Sequence, residues 1–421
     1  MEATDGVAAA KFPFYIPLFS RLFILLFAIF ADNLVADHTA TDVATLLASD
    51  QACLWCFLKP FTRWDAVYYL NIAKYGYVHE SQYAFFPLFP YCIRFVAHLL
   101  EYINKGASAV ALPGNDINYY VIAGLIISNL SFVISSWLLW QIFSTSEKSI
   151  KNLILLLFNF NPGNVFFSTV YTESLYALFT FSNVLVLEKY SNIYVSLLIV
   201  TLSAFVRSNG VFNGILLILH VSKGQLLRHQ PLTVRFVTRI IMLVLFLYFL
   251  MSYTCNLGAV DICSNSDSAA LTCSSSHFVF EDKVFYNTYQ LIQFKHWGVG
   301  FFSYYQIKNI PNFLLASPMV CICAYIIHSG YKTIATDGYY KYLQNCRAFN
   351  MVYMAALLGL IVVYAHVQIV TRVICSSCPY LYLEVSLLLA QNKRSKVAII
   401  SYFLMFNIVG VFMHSNHYPW T

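Results

Sequence analysis

An all-α, polytopic membrane protein is the fold class this chain predicts, and three observations carry it. Hydrophobic residues make up 59% of the 421 and charged ones 10%, with a mean hydropathy of +0.65, against roughly 25% charged in an ordinary soluble domain. Apolar runs long enough for a bilayer, which takes about 20 helical residues, recur along the whole length. Basic residues gather in short loops between those runs, where Lys and Arg mark the cytosolic side. The chain therefore reads as a single polytopic domain, 1–421, rather than the roughly three soluble domains its length would suggest. Its formal charge of +6, from 25 basic and 19 acidic residues, is a topology signal. Nucleic-acid binding needs a solvated basic face or stripe, which the sequence lacks.

The first element, Phe12 to Ala31, is long enough to span and longer than the apolar core of a cleaved signal peptide. It is expected as an uncleaved helix that starts in the cytosol, which makes 32–80 a lumenal loop. In that loop Asp65 can open a helix over 66–74, because Asp suits an N-cap. The prolines of Phe85-Phe86-Pro87-Leu88-Phe89-Pro90 hold the backbone extended where the chain re-enters the membrane. Spans are expected at 84–100 and 117–141; the glycosylation triplet Asn129-Leu130-Ser131 lies inside the latter and is expected to be unused. Residues 152–190 hold one or two passes, interrupted by Asn161-Pro162-Gly163-Asn164. Such a break is tolerated only where protein or a water-filled cavity satisfies the freed backbone groups, so it marks a candidate cavity. The runs 195–220, 236–254, 310–328, 348–370 and 397–414, with a shorter one at 379–391, bring the total to roughly eight to eleven segments.

Three basic loops are expected in the cytosol: Lys223, Arg228, Arg235 and Arg239; Lys332, Lys341 and Arg347; Lys393, Arg394 and Lys396. Residues 255–309 and 371–380 are then lumenal. Of eleven cysteines, Cys92, Cys321 and Cys323 lie in apolar stretches as small core residues. Cys53, Cys56, Cys255, Cys263, Cys273, Cys375 and Cys378 fall in or beside lumenal loops, where disulfides form. The pairs Cys53/Cys56 and Cys375/Cys378 have metal-site spacing, but zinc takes four ligands with an ordered second shell, and no metal is expected. The chain ends Tyr418-Pro419-Trp420-Thr421 without a Lys-Asp-Glu-Leu type signal, which leaves retention to the helices.

Candidate site residues concentrate in the lumenal loops. Asp65 stands among aromatic rings in Arg63-Trp64-Asp65-Ala66-Val67-Tyr68-Tyr69. Aromatic faces stack on sugar C–H groups, and a carboxylate can take a hydroxyl proton; the same Asp also reads as a helix cap. Glu80 reads equally as a sugar ligand or as an interfacial charge paired with a lysine such as Lys74. Glu173, in Tyr171-Thr172-Glu173-Ser174, is an intramembrane acid and so a candidate for function. Arg207, in Arg207-Ser208-Asn209-Gly210, must be paired if buried, and phosphate suits its fork best. A pair with Glu173 is the architectural alternative.

The segment from Arg63 to Pro90 resembles the first lumenal loop of the GPI mannosyltransferase 2 (PIG-V) family. Further blocks also resemble that family: Asn161 to Asn164, Tyr171 to Ser174, Gln293 to Phe301, Pro311 to Ala316, and His366-Val367-Gln368 with Thr371-Arg372. Two places depart from it: Gly298 stands where Asn is expected, and Leu383 follows Tyr382 where Trp is expected. The resemblance implies a GT-C type glycosyltransferase of the endoplasmic reticulum membrane with lumenal catalytic loops. Its substrates would be dolichyl-phosphate-mannose and a GPI precursor glycolipid, with a small membrane subunit as a further partner and no cofactor. Asp65 is then the catalytic base, and Trp64, Glu80, Glu173, Arg207, His296, Trp297, His366, Gln368 and Arg372 bind substrate. Arg207 is the first choice for the donor phosphate, with His296, His366 and Arg372 behind it. A lipid transporter or scramblase fits the composition equally, but such a protein buries polar groups at the bilayer midplane between symmetry-related repeats. This chain shows no internal repeat.

Overall fold

The computed structural model of the protein describes residues 11–38, 55–106, 117–227, 234–264, 271–273, 277–280, 283–337, 346–391 and 393–420. Cys53, Arg228 and Lys341 fall outside them. In chain order the principal helices are α1 (Tyr15–Leu34), α2 (Asp65–Tyr75), α3 (Leu88–Gly106), α4 (Ile117–Ile142), α5 (Lys148–Asn159), α6 (Glu173–Leu185), α7 (Ile193–Val206) and α8 (Asn213–Leu227). They continue with α9 (Val234–Cys255), α10 (Thr288–Trp297), α11 (Ile310–Asp337), α12 (Cys346–Tyr364), α13 (Val370–Ser377), α14 (Pro379–Gln391) and α15 (Lys393–Ser415).

Six of these, α1, α4, α9, α11, α12 and α15, are long and apolar enough to cross a membrane. The segment 367–377 with α14 makes a seventh candidate, bent by 93°. The fold is thus all-α and multi-pass, with the shorter helices α5 to α8 packed among the long ones. Two large apolar cores and a smaller one at Val200, Ala204, Val211 and Leu250 hold the described residues together. Phe132, Phe158, Phe167, Phe181 and Tyr382 stack where α4, α5, α6 and α14 meet. Leu70, Ile72, Phe89, Ile93 and Leu291 join α2, α3 and α10. Between α9 and α10 a three-stranded antiparallel sheet, β1 (Leu271–Cys273), β2 (Phe278–Phe280) and β3 (Lys283–Phe285), pairs in the order β1-β2-β3.

Several expectations are corrected here. The run 195–220 is broken at Arg207, which is extended (φ −151°, ψ 152°), before a 3-10 turn over Ser208–Phe212. The turn folds back so closely that a Cβ on Gly210 would lie 2.1 Å from the Ser203 carbonyl oxygen. Residues 371–380 do not form a loop: apart from the break at Cys378 they are helical and largely buried. Their Cys375 and Cys378 are free buried thiols, as is Cys255, whereas Cys263 and Cys273 form a disulfide.

The Asn161-Pro162-Gly163-Asn164 break is satisfied by protein rather than by a cavity. Asn407 Nδ2 donates to the carbonyls of Phe160 (2.6 Å) and Asn161 (2.8 Å), and Asn161 Oδ1 accepts from the Gly163 amide (2.9 Å). The break serves to admit α13: a Cβ on Gly163 would lie 3.2 Å from Arg372 Cα.

Candidate active site

Both acids at the centre begin a helix. Asp65 is the first residue of α2 and Glu173 the first of α6, where the unpaired amides and the helix dipole favour negative charge. Asp65 does not serve as a side-chain cap; Trp64 occupies the cap position, and α2 runs 65–75 rather than 66–74. Its carboxylate faces Arg372 instead, with Nη1 3.2 Å from Oδ2. Arg372 Nε is 3.8 Å from Glu173 Oε1, and the same oxygen is 2.5 Å from Arg207 Nη1. The four side chains form one line of alternating charge, Asp65–Arg372–Glu173–Arg207, with zero net charge, and that is how charges persist inside an apolar bundle.

Exposure separates the roles along that line. The Asp65 side chain is 33% exposed, the arginines 16% each, and Glu173 only 1%. Asp65 is therefore the member a solvated substrate can reach, and Glu173 is sequestered between two cations. Trp64 beside it is 38% exposed, an open indole face next to an open carboxylate.

The remaining predicted residues lie in an adjoining aromatic group. Trp297 ends α10 with its ring 6.0 Å from Tyr68 and 5.9 Å from Phe85, which themselves stack at 4.5 Å. His366 Nε2 lies 3.0 Å from the Trp297 carbonyl oxygen, and its ring stacks on Tyr304 at 4.4 Å. Burial holds His366 below the usual imidazole range; Arg372 adds to that, and the Trp297 carbonyl opposes it. Gln368 Oε1 accepts from the Tyr304 hydroxyl at 2.8 Å. His296 sits 5.7 Å from the Trp297 ring. Glu80 pairs with Lys295 at 2.7 Å rather than with Lys74, because the 3-10 turn carrying it (Glu80–Ala84) packs on α10.

Two residues that hold the centre were not singled out from sequence. The Tyr171 hydroxyl accepts the Asp65 amide at 3.1 Å and reaches the Arg63 carbonyl at 3.4 Å. The buried Arg63 guanidinium donates to Asp32 Oδ1 (2.8 Å), Asp37 Oδ1 (2.7 Å) and the Ser415 carbonyl (3.1 Å). Their only sequence signal is adjacency, Arg63 to Trp64-Asp65 and Tyr171 to Glu173. Among the described residues no group of three or more His, Cys, Asp or Glu side chains is placed to hold a metal ion.

Comparison with known proteins gives a consistent result. The family model described as mannosyltransferase (PIG-V) matches residues 14–421. GPI mannosyltransferase 2 of Drosophila melanogaster is 26% identical over 449 aligned positions, covering 96% of this chain and 98% of the fly protein. GPI alpha-1,6-mannosyltransferase 2 of Homo sapiens is 24% identical, covering 86% and 88% respectively. Among solved structures, the oligosaccharyltransferase of Archaeoglobus fulgidus aligns over 95% of this chain and 53% of its own, with a TM-score of 0.43 at 9% identity; the chain spans about half the length of that protein.

Proposed function

This chain belongs to the PIG-V mannosyltransferase family, and from that premise we propose that it transfers the second mannose of a GPI anchor. The donor is dolichyl-phosphate-mannose, the acceptor the mannosyl-glucosaminyl-phosphatidylinositol intermediate, and the new linkage α-1,6. The names of the fly and human relatives support the reaction. The observation that carries the mechanism is the most exposed carboxylate of the charge line, Asp65, set between the partly exposed Trp64 indole and an arginine.

A β-linked donor and an α-linked product require inversion, and one in-line displacement achieves it. Asp65 takes the proton of the acceptor 6-hydroxyl as that oxygen attacks the anomeric carbon. The bond from the anomeric carbon to the phosphate oxygen breaks, and dolichyl phosphate leaves as a stable anion that needs no acid. One base plus a cationic clamp suffices, unlike the two carboxylates of glycoside hydrolysis. Glu173 fits no second acid–base role, since it is almost fully buried between two arginines; it orients Arg372 and Arg207. A donor phosphate at Arg372 competes with Asp65 for the guanidinium and frees the carboxylate to act as a base. Arg207 supports the same phosphate from behind Glu173. Trp64 and Trp297 offer the faces on which sugar rings stack.

Orientation follows from charge and covalent chemistry. The Cys263–Cys273 disulfide belongs in an oxidising compartment, which supports a lumenal 255–309. The C-terminal ends of α1 and α15 meet at Arg63 beside Asp65, so the lysines opening α15 lie at the other end of that helix, in the cytosol by the positive-inside rule. The reading therefore sets the site on the lumenal face of the endoplasmic reticulum membrane. Membranes containing the protein, supplied with labelled dolichyl-phosphate-mannose and the monomannosylated acceptor, test it. The expected product carries one added mannose in α-1,6 linkage; label on an unmannosylated acceptor, or in another linkage, overturns the assignment.

A further inference from the structure

Trp64 adopts φ 55° and ψ −124°, a turn conformation that favours glycine and that a bulky side chain resists. Strained backbone persists only where its surroundings over-determine it, and such residues cluster at active sites. Here the strained residue directly precedes the proposed base, so its dihedral angles aim the Asp65 carboxylate. The contacts that enforce them come from three distant parts of the chain. The Tyr171 hydroxyl bridges the Asp65 amide and the Arg63 carbonyl, on either side of Trp64. The Arg63 fork is held by Asp32 in the last turn of α1, by Asp37 just after it, and by the Ser415 carbonyl at the end of α15. The Trp64 indole rests on the His417 imidazole, centroids 4.7 Å apart. The two flanking segments are also joined to each other: the His38 amide donates to the Asn416 carbonyl at 3.0 Å, and the His38 ring stacks on Tyr418 at 5.3 Å.

We propose that Arg63, anchored by Asp32, Asp37 and the segment Ser415–Tyr418, is the positioning residue for Asp65: its multidentate clamp holds Trp64 in the strained conformation that points the base at the acceptor. The inference rests on Asp65 being the base. Arg63 itself is 5% exposed and meets no substrate. Lysine would serve equally as a charge anchor and carries three donors, but at one point; the bonds here leave from two separate atoms, Nε to Ser415 and Nη2 to both aspartates, a geometry only the guanidinium offers. Displacing a base by about 1 Å costs on the order of 10²-fold in rate while leaving binding intact.

The test is Arg63→Lys in the full-length enzyme in detergent, with donor and acceptor kinetics measured against the wild type. The expected result is a fall of about 10–100-fold in kcat with both KM values within about twofold. In an Asp65→Glu background, where the carboxylate is already displaced, adding Arg63→Lys should cost less than about twofold, because the two changes damage the same feature. An unchanged kcat for Arg63→Lys, a loss confined to KM, or full multiplicativity with Asp65→Glu would each overturn the proposal. Should Arg63→Lys fail to accumulate, Asp37→Asn is read instead, with an expected fall of about threefold in kcat and the same lack of multiplicativity; an unchanged kcat there overturns it. Full activity of Asp65→Asn removes the base and, with it, anything to position. An inactive Asp65→Asn beside a wild-type Arg63→Lys removes the clamp alone.

Discussion

Replacing Arg207 by alanine removes one of the two cations on a carboxylate that is 1% exposed. At about 4 Å a unit charge pair is worth about 4 kcal/mol in an effective dielectric of 20, and the Arg207 contact, at 2.5 Å, is the closer of the two. The remaining cation, Arg372, stands 3.8 Å away and is shared with Asp65. Breaking a buried pair from one side typically costs about 3–5 kcal/mol; because Arg372 stays, the lower end applies, about 3 kcal/mol. Adding Glu173→Gln removes the stranded charge and should return about 2 kcal/mol, since a neutral amide of the same shape is far cheaper to bury. The assay is thermal inactivation and monodispersity of the detergent-extracted protein, with Arg207→Ala lower by about 5 °C and the double variant intermediate. Transferase activity on the same samples separates the roles of Arg207. Recovery of stability without activity places Arg207 on the donor phosphate; recovery of both makes it purely architectural. An Arg207→Ala protein as stable as the wild type, or a double variant less stable than the single, would refute the alternating-charge account.

Arg372→Lys keeps the charge but loses the fork shared by Asp65 and Glu173, and kcat/KM for the donor should fall by about 10–100-fold with expression retained, read by donor titration. His366 and His417 are held below the usual imidazole range chiefly by burial, with Arg372 and Arg63 adding to it and the Trp297 carbonyl and Asp37 opposing. A base whose folded pKa is depressed leaves the unfolded chain binding more protons below about 6.5, so its contribution is full above that pH and lost as pH falls through it. Inactivation at pH 5.5 should outpace that at 7.5, and His366→Gln should narrow the gap. The Cys263–Cys273 bridge closes a loop with a separation of 10 residues; Cys263→Ser should cost about 2–3 kcal/mol and leave Cys273 open to an impermeant maleimide only from the lumenal side of microsomes. Labelling from the cytosolic side would invert the topology.

The parts of this structure visible in sequence are those carried by local pattern. Long apolar runs declare α1, α4, α9, α11, α12 and α15, because composition suffices, whereas Asp65 reads equally as a helix cap until the resemblance of its segment to the family is added. The run 195–220 reads as one span despite Arg207-Ser208-Asn209-Gly210 within it, since hydropathy averaged over the run cannot show that Gly210 must fit against the Ser203 carbonyl. Residues 371–380 looked like a polar loop because Thr371, Arg372, Ser376 and Ser377 interrupt the hydropathy. In the fold Ser376 and Ser377 bond back to their own helix backbone, and Arg372 turns to the acids. Arg63 escaped notice for a different reason: its partners lie 26, 31 and 352 residues away, and no local period reports a contact of that kind. Glu80 reads from sequence as a sugar ligand or as the partner of a nearby lysine such as Lys74, whereas the lysine that reaches it is Lys295 on α10.

The most direct test of the central claim is single-turnover transfer by Asp65→Asn, with labelled dolichyl-phosphate-mannose and the monomannosylated acceptor at saturating concentrations. Asparagine keeps the size of the side chain and a partner for Arg372, so membrane extraction, thermal stability and donor binding should stay near wild type. The transfer rate should fall by about 10²–10⁴-fold, the usual consequence of losing a positioned base. A rate within a few-fold of the wild type would contradict the assignment of Asp65 as the base.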